Sequence, residues 1–488
     1  MRRSTVQVVP VAQGRGREGC PPSREATGRR AAGHGGRARE AARDKGARAR
    51  GGHADGPGTG DAGTGHPGRR RRSVWRAAGR RLVAAGVALG LVTVTSGCGG
   101  EGARTGAGAT PAATVSPTAA AKAGRSPQAE AGPERGAAKK AAVRDVYAND
   151  RAGMLSPAVA GFPSLVYVPN SESGTVTVID PRTYKIVREF SVGRRPQHVV
   201  PSWDLKTLWV NNNDGNTLTP IDPATGRPGK AIAVEDPYNL YFSPDGTTAL
   251  VMAERLNRLD FRDPHTFRLR ESLPMPCRGI NHADFTADGS MMLASCEFSG
   301  HLVVVDLGER KVREVVRLPR LGVTPASMAH HGMMHHSMPQ DVKLSPDGET
   351  FYVADMAKGG VWLVDAERFK VRRFVATGAG AHGLYVSRDS KHLYVSNRGA
   401  GSVSVVSFAR QRPVGTWRIP GGGSPDMGGV SADGRRLWLA GRYHGVVYVF
   451  DTEKGRLERT IRVGAGPHGL AVYPQPGTYS LGHTGVFR

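Results

Sequence analysis

The chain has 488 residues, with 67 Lys and Arg against 42 Asp and Glu and a formal net charge of +25. That length holds two or three average domains, but about half of the charge lies before Cys98, and residues 1–73 have almost no large apolar side chains. Such a stretch cannot bury enough surface to offset chain entropy, so residues 1–73 read as a disordered basic extension, and the bulk charge is no argument for a nucleic-acid partner.

A targeting segment follows at 74–97. Arg76, Arg80 and Arg81 precede an apolar run from Leu82 to Val94, which is too short to span a bilayer and suits the apolar region of a signal peptide. It ends in Thr95-Ser96-Gly97-Cys98. Small residues before a Cys in this place resemble the bacterial lipobox, which implies that Cys98 is diacylated and anchors the protein to the outer face of the cell membrane. An ordinary signal peptide cut nearby is the alternative. No Met occurs between Met1 and Met154, so translation is expected to start at Val74, with residues 1–73 over-called. Residues 98–150, the lipid-bearing Cys and an Ala, Gly and Pro-rich stretch, read as a flexible tether. The remainder, 151–488, is the folded part. It is moderately basic, which favours anionic headgroups or wall polymers or else is simply a solvated surface.

From about Ser164 the chain is periodic. Ser243-Pro244-Asp245-Gly246 precedes Ala249-Leu250-Val251-Met252, and Ser345-Pro346-Asp347-Gly348 precedes Phe351-Tyr352-Val353-Ala354. Thr286 to Gly289, Ser387 to Ser390 and Ser431 to Gly434 repeat the pattern. The turn tolerates positive φ, and the β-branched or apolar run after it is a strand. A third strand then ends in an acid, as at Asp180, Asp222, Asp306, Asp365 and Asp451, and a fourth follows. Four short antiparallel strands per period of about 42 residues are propeller blades. The pattern resembles the YVTN/YncE-like propeller family, and Leu393 to Asn397 is close to its namesake strand. Inner strands open at Gln197, Tyr238, Asn281, Gln340, His382, Asp426 and His468. The fold is therefore expected to be an all-β seven-bladed propeller and a monomer, with the C-terminal inner strand, His468 to Val472, completing the N-terminal blade and removing free edges.

Cys277 and Cys296 flank one predicted hairpin. In an exported protein they are expected to form a disulfide, soft metal ligation being the alternative.

The spacing from His282 to Asp341 is about 16 residues longer than the repeat. The excess holds Met328, His330, His331, Met333, Met334, His335, His336 and Met338. Thioether with imidazole suits copper, whereas zinc does not call for Met. The insertion rises from the face on which all connections into inner strands emerge, around the channel mouth. His198, His282, His382 and His468 are expected at equivalent positions there, with Asp341, Asp426 and Met427, and His282 and His382 are expected to complete coordination by the loop. His265, His301, His392, His444 and His483 are assigned no role. The reading is a copper-binding surface lipoprotein. A propeller face that docks a protein or wall polymer without metal is the competing reading, and a lactonase-like or redox enzyme the third. The chain is also similar to the propeller of nitrous oxide reductase in pairing this fold with a His-rich site. It has no Cys-x-x-Cys-His haem motif, Gly-rich phosphate loop or serine elbow.

Overall fold

The computed structural model describes residues 145–321, 336–483 and 485–488. The signal-like segment, Cys98 and most of the Met/His-rich insertion lie outside these residues. Among those described, no helix is long and apolar enough to cross a membrane.

The repeated turn works as its chemistry requires. Asp245 Oδ1 accepts from Ser243 Oγ at 2.5 Å and from Thr247 N at 3.0 Å, and Gly246 has φ +71°. A Cβ there would meet the Trp203 ring at 2.5 Å. Asp288, Asp347 and Asp433 repeat the backbone contact at 3.0–3.1 Å. Each turn hands the chain to a second strand that is almost wholly buried, such as Ala249–Ala253 or Thr350–Asp355. Both faces of such a strand are apolar because each blade is packed between two others. The outermost strands, such as Lys185–Ser191 and Arg456–Arg462, are largely exposed and carry Lys and Arg, which blunts their free edges against further pairing.

Seven sheets result. Blade 1 has Leu165–Asn170, Thr175–Asp180 and Lys185–Ser191 from the N-terminal side, and Ala471–Tyr473 as its inner strand. The inner strands of blades 2 to 7 are Pro196–Pro201, Pro237–Phe242, Ile280–Phe285, Pro339–Leu344, Ala381–Val386 and Pro425–Val430. The ring closes as the sequence implies, with Leu165 opposite Tyr473, Val166 opposite Val472 and Tyr167 opposite Ala471. The ladder starts at 471 rather than 468. Ahead of it, Pro467 bridges Asn170 and Gly469 bridges His198 of blade 2.

Both ends of the folded part add to the ring. Tyr147, counted with the tether from sequence, is buried and its hydroxyl donates to Leu344 O at 2.8 Å. Residues beyond the closing strand return inward: Ser480–Gly482 joins the inner strand of blade 3 with Gly482 opposite Tyr241, and Val486–Phe487 pairs back on it. Leu481, Val486 and Phe487 are buried. Cys277 and Cys296 are joined by a disulfide that ties the connection entering blade 4 to the end of that blade's second strand.

Candidate metal centre in the central channel

Every inner strand of blades 2 and 4 to 7 slips register against its neighbour between its first and fourth residues, as between Pro196 and Val199 or Ile280 and Ala283. A bulge re-aims side chains, and here the second and third residues meet those of other blades across the channel. The second residues are Gln197, Tyr238, Asn281, Gln340, His382 and Asp426, and the third are His198, Asn239, His282, Asp341, Gly383 and Met427. His468 and Gly469 hold the corresponding places ahead of the closing strand. The histidines expected at one position are therefore one residue out of step. His198 and His282 are third residues, while His382 and His468 are second.

That offset divides them into two groups. His198, His282 and His483 bring one ring nitrogen each to within 4.8 Å of one another, and His382, His468 and Asp426 do the same with a carboxylate oxygen. The groups adjoin: the His198 ring lies 4.8 Å from His468 and the His282 ring 6.2 Å from His382. All six residues, and Asp341, are at most 2% exposed. They lie beneath the mouth rather than at it. His483, given no role from sequence, stands among them because the returning tail carries it in.

Hydrogen bonds fix the rings. His198 Nδ1 is 2.9 Å from Tyr238 O, an acceptor, so Nδ1 bears the proton and Nε2 presents a lone pair. That Nε2 is buried without a hydrogen-bond partner among the described residues. Asn239 Nδ2 donates to Nδ1 of both His282, at 3.1 Å, and His483, at 3.0 Å. His468 Nδ1 donates to Gln197 O at 3.2 Å, and His382 Nδ1 lies 3.0 Å from Met427 Sδ. Asp341 accepts from Val342 N and Leu384 N at 3.0 and 2.9 Å and stands 3.6 Å from His483 Nε2.

Burial, helped by neighbouring charge, holds all five imidazoles well below their ordinary value of 6.5. They are neutral at pH 7, the form that ligates metal. The two groups differ in their fit to a cation. Arg398 pairs with Asp426 through Nε and Nη2, and Arg442 Nη1 stands 3.9 Å from its other oxygen. Two guanidiniums already answer that carboxylate. Around the first group, Lys343 bears on His282 and His483 and Arg442 on His198, with Asp341 opposing them at His282, and among the described residues no guanidinium is paired to His198 or His282. A tetrahedral ion with metal–nitrogen bonds of about 2.0–2.1 Å sets its nitrogens about 3.4 Å apart, so the three ring nitrogens, now within 4.8 Å of one another, would have to close in on it.

Above these groups the turns after the second strands form the mouth. The first residues past those strands are Ser171, Asn213, Glu254, Glu297, Met356, Arg398 and Arg442. Acid on blades 3 and 4 thus faces base on blades 6 and 7. Burial first, and then the charge of Glu297, raises the Glu254 carboxyl well above its ordinary range. The sequence reading passed over this ring, although its position in the repeat is regular. Of the insertion, His336 is exposed and Met338 half-buried, its N donating to Asp355 Oδ1 at 3.0 Å. Neither joins the channel imidazoles. Met328, His330, His331, Met333, Met334 and His335 lie outside the described residues.

A family model described as YNCE-like beta-propeller matches residues 142–475. The uncharacterized protein YncE of Salmonella typhi is 20% identical over 290 residues, which is 55% of this chain and 75% of that protein. A functionally unknown protein from Desulfotomaculum acetoxidans superposes with a TM-score of 0.52 at 14% identity, over 63% of this chain and 98% of its own. Hydrazine synthase of Kuenenia stuttgartiensis gives 0.49 at 20% identity, over 61% and 97%. At 14% identity the Desulfotomaculum structure speaks to the fold alone.

Proposed function

The chain belongs to the YncE-like β-propeller family, and from that premise we propose that it is an exported, lipid-anchored protein that holds a copper ion on the imidazoles of its channel. One observation carries the reading. His198 donates Nδ1–H to a backbone carbonyl and leaves a bare, buried Nε2 lone pair among other neutral imidazoles. This is how a protein orients a metal-ligating histidine, and without a ligand the arrangement buries an unpaired acceptor at a cost of about 1–3 kcal/mol. An ion there would take His198 Nε2, and it would replace the hydrogen bonds from Asn239 to His282 and His483 by coordinate bonds.

Copper is favoured over zinc by the thioethers. Met427 lies against His382, and Met356 stands in the mouth ring with Sδ 3.5 Å from Arg398 Nη1. The sequence of 328–338 adds four Met and four His. Thioether and imidazole ligands together suit Cu(I), and we assign that segment to capture of the ion, with the channel as its seat. The signal-like segment, Cys98 and the Cys277–Cys296 disulfide support an oxidising location outside the cytoplasm.

The test compares copper content and thermal midpoint for the wild-type chain, a His198→Ala/His282→Ala variant, and a variant with His330, His331, His335 and His336 changed to Ala. Wild type should bind about one equivalent and gain about 2.7 kcal/mol at one hundred times Kd. The channel variant should lose both effects, and the loop variant should load more slowly to the same content. Undiminished binding by the channel variant would sink the reading.

A further inference from the structure

His483 reaches the channel by a route that no other imidazole uses. Blades 2 and 4 present His198 and His282 at the third position of their inner strands, but blade 3, between them, has Asn239. The tail fills that gap. Gly482 pairs with Tyr241, His483 N donates to Leu240 O at 3.0 Å, and the Asn239 amide meets the His483 ring. The ring centroid then lies 5.1 Å from His198 and 4.8 Å from His282. His483 takes φ +46° to do so, in the left-handed region that side chains other than glycine rarely enter. Arg488 fastens the segment beyond it, donating to Asp284 at 2.8 Å and lying over the Tyr147 ring.

We propose that His483 is the ligand that closes the metal site, so that binding of the ion and docking of residues 474–488 are one coupled equilibrium. This rests on the metal reading above. Without the tail, blades 2 and 4 offer only two imidazoles, too few to hold an ion against water. With it docked, the three imidazoles are fully buried and no coordination position opens to solvent. A closed site of this kind retains its ion rather than exchanging ligands on it. Linkage is reciprocal: an ion that needs His483 must stabilise the docked tail by the factor by which the tail raises its affinity.

The experiment measures amide hydrogen exchange across 474–488 and copper affinity. It uses the full chain and copper(I) supplied anaerobically without thiol, for wild type, His483→Gln and His198→Gln. In wild type, copper should slow exchange of the tail about ten-fold or more, and His483→Gln should lower affinity about 100-fold and abolish that protection. Gln retains hydrogen-bonding capacity, and tail exchange in the metal-free variant reports directly whether docking survives the substitution. If His483→Gln binds copper as wild type does and copper leaves tail exchange unchanged, while His198→Gln loses the ion, the coupling is wrong and the metal reading stands. If wild type binds no copper, the metal reading falls and takes the coupling with it.

Discussion

The decisive residues differ in how visible they are before folding. His198, His282, His382 and His468 could be picked out because the repeat places them at the start of inner strands. Their division into two groups could not. A bulge shifts which of two consecutive residues faces which neighbour, and the one-residue offset between His198 and His382 acquires meaning only once that bulge is known. His483 carries no repeat signal at all, since it lies beyond the last strand that the repeat requires. What could have flagged it is apolar content: Leu481, Val486 and Phe487 are too many large side chains for a free tail. The five channel imidazoles also set a pH dependence. Burial depresses their folded-state values below 6.5, so below that pH the unfolded chain binds more protons than the folded one. The stability they allow is fully present above about pH 6.5 and falls as pH drops through it. The metal-free protein should accordingly lose thermal midpoint between pH 7.5 and 5.5, well above the carboxylate range. A flat profile over that window would mean that the rings are hydrated and charge freely in the fold.

At the scale of the element, the Ser-Pro-Asp-Gly turn is the most legible unit, because a local hydrogen-bond pattern and one positive φ suffice to specify it. Asp245 shows its worth. Burial pushes its carboxyl up, yet donation by Ser243 and Thr247 leaves it below the ordinary 3.8. A lowered folded-state value contributes stability above the unfolded value and loses it as pH falls through the folded one. Asp288, Asp389 and Asp433 share this direction. A second, steeper loss of stability is therefore expected below about pH 4. Asp245→Ala should cost about 1 kcal/mol at pH 7 from lost hydrogen bonds and less at pH 3, as measured by denaturant midpoints. An equal cost at both pH values would show that the carboxylate charge does not matter to the turn. Less regular elements were harder to read. The outer strand of blade 2 splits into Arg227–Pro228 and Ile232–Ala233, since Pro228 cannot donate to a ladder.

For the whole molecule, period and strand count already imply a closed seven-bladed ring, and closure by Ala471–Tyr473 on Leu165–Asn170 follows from the chain beginning mid-blade. What the repeat cannot supply is the treatment of the two ends of the channel. One end carries the ring of Glu254, Glu297, Met356, Arg398 and Arg442. The other is covered by chain from outside the repeat, with Tyr147 and Arg488 stacked and Asp150 paired to Arg388. The channel imidazoles thus lie buried between the mouth ring and that covering chain, where the ion is proposed to sit. An anomalous-scattering map at the copper edge, from crystals of the copper-loaded protein, tests this most directly. One principal peak is expected between His198, His282 and His483. A principal peak on residues 328–338 with none in the channel, or no peak at all, would contradict it.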